Sequence, residues 1–200
     1  KLVLLLNNLN EQTNYQRDLG VEIGCRLMPG SFSALGYAAA SCRTLGEAIN
    51  IIPSYEKVAL TPGRTELNIA GEWARLSWTT KHNDHSFLLE DIILSAWVQL
   101  AKSLISSQSL TIKLMFTGPI PEKFDKFTAI FGGDITFDNA SACVLFPSSL
   151  MNMPITHSDS FINNLMREQA AHIHQSLDTD GALAYTVAES IGRMLTTGEL

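Results

Sequence analysis

Apolar positions follow a helical period in the first quarter of the chain, alternate in the middle and return to a helical period near the end. Leu2–Leu9 reads as the remnant of a helix, after which Gly20, Gly24, Pro29 and Gly30 predict an irregular stretch. Phe32, Leu35 and Ala39 then share one face of a helix within the small-residue segment Phe32–Ser41. Thr44-Leu-Gly-Glu47 has the spacing of a capping box, in which the threonine hydroxyl takes an N–H three residues on and the glutamate reaches back. Leu45, Ala48, Ile49 and Ile52 continue it as a helix, and Pro53 is its stop.

From Val58 the period becomes two. Val58–Leu60, a turn at Thr61-Pro-Gly-Arg64, Leu67 and Ile69, a turn at Gly71, then Ala74, Leu76 and Trp78 predict a three-stranded antiparallel meander. Asp84 or Ser86 caps the next helix, whose wide stripe from Leu88 to Leu104 suits a helix lying on a sheet. Leu110, Ile112, Leu114 and Phe116 alternate as a strand. Pro121 fits a first helical residue, followed by Phe124, Phe127, Ile130 and Phe131, with Gly132 as C-cap. Ile135–Phe137 and Cys143–Phe146 flank Asp138-Asn-Ala-Ser141 as a hairpin, and two helices close the chain after Asp159 or Ser160. The first carries Phe161 to Leu177; the second carries Leu183, Val187, Ile191 and Leu195. Short turns between strands favour antiparallel pairing. The expected class is α+β: a mostly antiparallel sheet of about five to six strands with helices packed on it, a helical N-terminal part and two C-terminal helices.

Composition narrows the classes of function. At 200 residues and 46% hydrophobic content, with 13 Gly and 7 Pro, the chain is neither disordered nor collagen-like. Its apolar run Ile92–Ala101 is half the length of a membrane span, which needs about 20 residues. With 14 Lys+Arg against 20 Asp+Glu and no basic cluster, it is not expected to bind nucleic acid by itself. Cys25, Cys42 and Cys143, odd in number and set among apolar neighbours, read as buried free thiols in a reducing compartment. Lys1 at the start, with too short an apolar run for a signal peptide, predicts a cut through a longer protein.

Catalytic constellations are missing. Gly30-Ser-Phe-Ser33 does not fit a nucleophile elbow, and Gly132-Gly133 is a helix stop rather than part of a phosphate loop. Among the histidines, His82-Asn-Asp84-His85 places metal-ligand types within one turn, although His and Asp are ordinary beside a helix cap. His172 and His174, two apart on a helix, project to different faces and cannot share an ion. Glu90 and Asp91 read as favourable charge in a first helical turn. No enzyme is expected, and no cofactor or resident metal. Trp73 and Trp78 lie at odd separation on one strand, so Trp78 joins the core face and Trp73 the other. The candidates for lining a ligand site are Tyr55, Trp73 and Trp97, with simple packing as the competing reading for the tryptophans.

Leu35-Gly36-Tyr37, Thr44-Leu-Gly-Glu-Ala48 and then Tyr55 resemble the N-terminal effector-binding, arabinose-binding-type domain of AraC-type bacterial transcription regulators. The second half is similar to the same family: strand Ile112–Phe116, Pro119 and Pro121, Phe127, Phe131-Gly132, Ile135 and Phe137, Val144–Phe146, Leu150 and Pro154. Val187–Leu200 resembles the helix leading into the family's DNA-binding domain. Two departures are Thr117-Gly118, where members often carry His before the Pro, and Ser141-Ala142, where Asn is common. The resemblance implies a cytoplasmic one-component regulator: residues 1–178 as effector-binding domain, and 179–200 as a linker helix toward a helix-turn-helix domain outside this chain. It implies a small-molecule effector and a homodimer, with DNA bound only through the absent domain. The apolar helix Phe87–Leu104 and the aromatic residues favour an apolar or amphipathic effector over a sugar. The rival reading is a haem- or metal-dependent gas or redox sensor using one of the histidines.

Overall fold

The computed structural model describes Leu6, Asn8, Leu9 and Gln12, then residues 17–54, 63–80, 87–107 and 110–176, with side chains as far as 171. Six helices and five strands are formed there: α1 Arg17–Arg26, α2 Ser33–Ala40, α3 Leu45–Ser54, β1 Gly63–Ala70, β2 Trp73–Thr80, α4 Phe87–Leu104, β3 Lys113–Met115, α5 Phe124–Phe131, β4 Asp134–Thr136, β5 Ala142–Pro147 and α6 Ser160–Ser176. Short 3₁₀ turns occupy Pro29–Phe32 and Ser148–Asn152. The open sheet runs β1-β2-β5-β3-β4. Three of its four pairings are antiparallel, and β3 with β4 is parallel. The fold is therefore α+β, as the periodicities predict.

The stretch read as irregular around Gly20 and Gly24 is instead the helix α1. Both glycines lie on its face toward α4, four residues apart. A Cβ on Gly24 would stand 1.9 Å from Ser95 Oγ and 2.3 Å from the Ile92 carbonyl; one on Gly20 would stand 2.8 Å from the Leu88 carbonyl. These glycines are a packing device that brings two helix backbones together, not breakers. Gly24→Ala should destabilise the fold by about 1–3 kcal/mol, because the contact includes backbone that cannot rotate away. Chemical denaturation would measure it, and an unchanged midpoint would refute this account of the α1–α4 seam.

The helix α4 is buried nearly all round from Leu88 to Val98, between α1 and the sheet. Its two acids are no exception. Glu90 and Asp91 are fully buried rather than solvated first-turn charges. Glu90 accepts from the Thr117 N–H (2.7 Å) and hydroxyl (2.6 Å). Arg17 donates through Nε (2.9 Å) and Nη2 to the two oxygens of Asp91, and through Nη1 to the Pro119 carbonyl. Lys126 of α5 bridges Asp18 (2.8 Å) and Glu22 of α1.

The predicted hairpin over Asp138–Ser141 does not form. β4 pairs with β3, and β5 pairs with β2 and with the other edge of β3. Asp138, at φ 56°, gives its N–H to the Gly118 carbonyl (3.0 Å), and Asn139 gives its own to Phe116 (3.0 Å). The turn thus crosses the end of β3 instead of joining neighbours. β3 reaches β4 by way of α5, the crossover that parallel pairing requires.

Smaller differences follow the same logic. The ladder of β3 covers only Lys113–Met115, although Leu110, Ile112, Leu114 and Phe116 are all buried as the alternation predicts. α5 starts at Phe124 rather than Pro121, and Gly132 caps it in the left-handed region (φ 59°). α3 runs one residue past Pro53. The Thr44 hydroxyl accepts from the Glu47 N–H (3.2 Å), but Glu47 reaches the Arg43 N–H (3.0 Å), one residue beyond a capping box. β1 begins at Gly63, inside the expected turn, so the described meander has two strands, while Val58–Leu60 lies outside the described residues. Leu6, Asn8 and Leu9 are helical. The caps Asp84 and Ser86 and the last helix Leu183–Leu195 also fall outside the described residues.

Candidate functional site

A cavity of about 120 Å³ opens between the helices and one face of the sheet. Each wall follows from a stripe already visible as periodicity. α2 contributes Leu35, Gly36 and Ala39, and α3 contributes Leu45, Ala48, Ile49, Ile51 and Ile52. The C-terminal half of α4 supplies Trp97, Val98, Leu100, Ala101 and Leu104. Leu76 of β2, Val144 and Phe146 of β5, and Leu110 and Ile112 ahead of β3 form the floor. Pro29 and Phe32 of the 3₁₀ turn and Leu150 complete the lining.

Every one of these residues is apolar, and the Trp97 indole N–H is the single polar side-chain group among the described lining residues. The cavity is several times larger than the space a water needs, and its walls offer water almost no partner. Apolar area removed from water there contributes roughly 25 cal/mol per Å². A hydroxyl buried without a partner costs about 1–3 kcal/mol. Among the described lining residues, these costs favour a hydrocarbon or aromatic skeleton over a molecule with several hydroxyls.

Of the expected ligand-lining residues, the two that are described, Trp97 and Trp73, are not brought together. Trp97 stands in the cavity wall. Trp73 sits at the end of the β1–β2 hairpin, 39% exposed, with Lys113 Nζ 5.8 Å from its ring, and it does not line the cavity. Tyr55 lies outside the described residues. Trp78 is buried in the core, opposite in facing to Trp73. Sequence reading missed Phe32, Leu35, Ala39, Ile49 and Ile52 as site residues, because a stripe facing a cavity has the same spacing as one facing a core. One signal was available. The apolar positions of α3 (45, 48, 49, 51 and 52) cover more arc than one packing face needs, since Ala48 and Ile51 also join the cluster with Leu35, Ala38, Cys42 and Ile155.

Among the described residues, neither metal nor nucleophile chemistry is assembled near the cavity. Among the described residues no group of three His, Cys, Asp or Glu side chains is placed to hold a metal ion. His82 and His85 fall outside the described residues, as do the side chains of His172 and His174. Cys42 and Cys143 are buried and free; Cys25 is free and half-buried. Burial pushes the Cys25 and Cys42 thiols above their ordinary range, away from the thiolate form that would react. No helix among the described residues is long and apolar enough to cross a membrane.

Comparison with known proteins gives a consistent picture. The family described as the arabinose-binding domain of AraC transcription regulator, N-terminal, matches residues 1–155. The crystal structure of the transcriptional regulator CdpR from Pseudomonas aeruginosa is similar in fold, with a TM-score of 0.66 at 14% sequence identity over 78% of this chain. The similar region spans 52% of that regulator's chain. No curated protein matches.

Proposed function

Since the chain belongs to the family of N-terminal, arabinose-binding-type domains of AraC transcription regulators, we propose that it senses an apolar or amphipathic small molecule in the cavity between α2, α3, α4 and the sheet. The family is one of regulator domains rather than of enzymes. The observation that carries the proposal is the cavity wall, whose described side chains are apolar apart from one indole N–H. The family's description names a sugar, but the described residues of this cavity include no set of hydrogen-bonding side chains to hold one. In this proposal residues 1–178 form the sensing domain and 179–200 the connection to a DNA-binding half, within a cytoplasmic regulator. Pairing of two chains belongs to the same proposal, and Phe161, Ile162 and Leu165, exposed on α6, offer an apolar surface for it.

Thermal-shift measurements test the effector class. Decanoic acid, or an aromatic hydrocarbon acid of similar size, should raise the melting temperature in a concentration-dependent way. At a hundredfold excess over its Kd, such a ligand adds about 2.7 kcal/mol to stability. Arabinose and amino acids should leave it unchanged. A shift with arabinose alone would refute the reading.

A further inference from the structure

We propose that Asn163 of α6 is the positioning residue through which occupancy of the cavity is passed to α6, with α2 as the element that moves. The inference rests on the cavity being the effector site.

α6 is held to the domain by a narrow seam. Its half-buried and buried positions among the described side chains are Asn163, Met166, Arg167, Ala170 and Ala171, which share one helical face, while Phe161, Ile162 and Leu165 stay exposed. That face lies on α2, and Met166 packs against the cluster that holds Leu35 and Ala38 of α2. α2 is only eight residues long. Leu35, Gly36 and Ala39 line the cavity, while Ala38, next to Leu35 on the helix surface, belongs with Leu35 to the cluster on which Met166 of α6 packs. A body that fills the cavity presses on a helix that is already in contact with α6.

The polar contacts make this seam directional. The Asn163 side-chain amide donates to the carbonyl of Ala38, in the last turn of α2, at 2.7 Å. Carbonyls in the last helical turn lack the usual partner within their own helix. The Ala38 carbonyl also accepts from Ser41 Oγ (3.2 Å) and Cys42 Sγ (3.3 Å), and the Asn163 amide is the closest of these three donors. Arg167 Nε donates to Asn163 Oδ1 (2.9 Å), which fixes the amide with its N–H₂ toward α2. The Asp159 N–H donates to the Ser41 carbonyl (3.0 Å), and Asp159 Oδ1 caps α6 by accepting from the N–H groups of Phe161 (2.9 Å) and Ile162 (3.0 Å). The strap before α6 is anchored elsewhere, through the Thr156 N–H to the Leu104 carbonyl at the end of α4 (3.0 Å). α6 is thus pivoted at one point and steered at another, and Asn163 is in the steering contact.

Hydrogen-exchange mass spectrometry on the whole chain, with the neutral apolar fluorophore N-phenyl-1-naphthylamine as cavity probe, tests this. In the unsubstituted protein the probe should slow exchange in both α2 and α6 by at least about threefold. Asn163→Ala should bind the probe with Kd within about twofold, as followed by its fluorescence, and keep the protection of α2 while losing that of α6. Arg167→Ala, which frees the amide to turn, should show the same split and stands in if Asn163→Ala does not fold. α6 unaffected by the probe while α2 is protected, or a full α6 response in both variants, would overturn the coupling and leave the cavity reading intact. No binding of the probe by the unsubstituted protein would overturn the cavity reading, and the coupling with it.

Discussion

Replacing Arg17 by Met should cost the protein about 3–5 kcal/mol near pH 8, the usual loss when one partner of a buried ion pair is removed. For a chain of this length that is a fall in Tm of about 6–20 °C. The Arg17 guanidinium is held on both oxygens of Asp91 and on the Pro119 carbonyl, and lies 5.3–5.8 Å from the ring centres of Phe87, Phe116, Phe127 and Phe137. Methionine keeps the apolar stem and its packing but leaves a fully buried carboxylate with no counter-charge.

The pH dependence follows from Asp91. Burial pushes its carboxyl up to about 7, against the opposing pull of Arg17. The unfolded chain releases that proton near pH 3.9. Between these values the folded state holds a proton the unfolded state has lost, so this group's contribution to stability falls as pH rises through the window. Without Arg17 the downward pull is gone and the window extends further upward. The Arg17→Met variant should therefore lose least near pH 5 and most near pH 8. Arg17→Met combined with Asp91→Leu should recover much of the loss, since the stranded charge is removed with its partner. Denaturant titrations at the two pH values decide it: a single variant within 1 kcal/mol of the parent at pH 8, or a double variant no better than the single, would sink the argument.

That network also shows where sequence reading stops. Glu90 and Asp91 near the start of a helix have an ordinary surface explanation, and only the partners Arg17 and Thr117, 74 and 27 residues away along the chain, reveal them as core residues. Gly20 and Gly24 fail for a related reason. Spacing identifies glycines that share a helical face, but a close-packed neighbour can be seen only once α4 is in place. The strands were legible as strands because alternation is a property of each segment. Their order was not: Ile135–Phe137 and Cys143–Phe146 flank a good turn sequence, yet both take β3 as a neighbour, and pairing is decided between segments. The same division holds at the cavity. Trp97 and the stripes of α2, α3 and α4 were visible as apolar; that they stand apart from one another around open space was not.

Ala101→Phe should reduce binding of N-phenyl-1-naphthylamine by at least about 100-fold, equivalent to about 2.7 kcal/mol. Ala101 lines the cavity from α4, facing the space bounded by Leu35 and Ala39 of α2. A benzyl group there projects into that space and meets only apolar neighbours among the described residues. Overpacking a filled core costs about 1–3 kcal/mol, whereas filling a pre-existing void restores contacts its lining lacks. The two outcomes have opposite signs in stability. A cavity of the observed size predicts that Ala101→Phe unfolds no earlier than the parent while losing the probe. Lost binding together with a Tm several degrees lower would mean that the space is already occupied by packing in solution. Binding kept at full strength would place the probe elsewhere on the molecule. Only loss of binding at unchanged or raised stability is what an apolar effector site at this position requires, because there the introduced ring takes the place of the ligand.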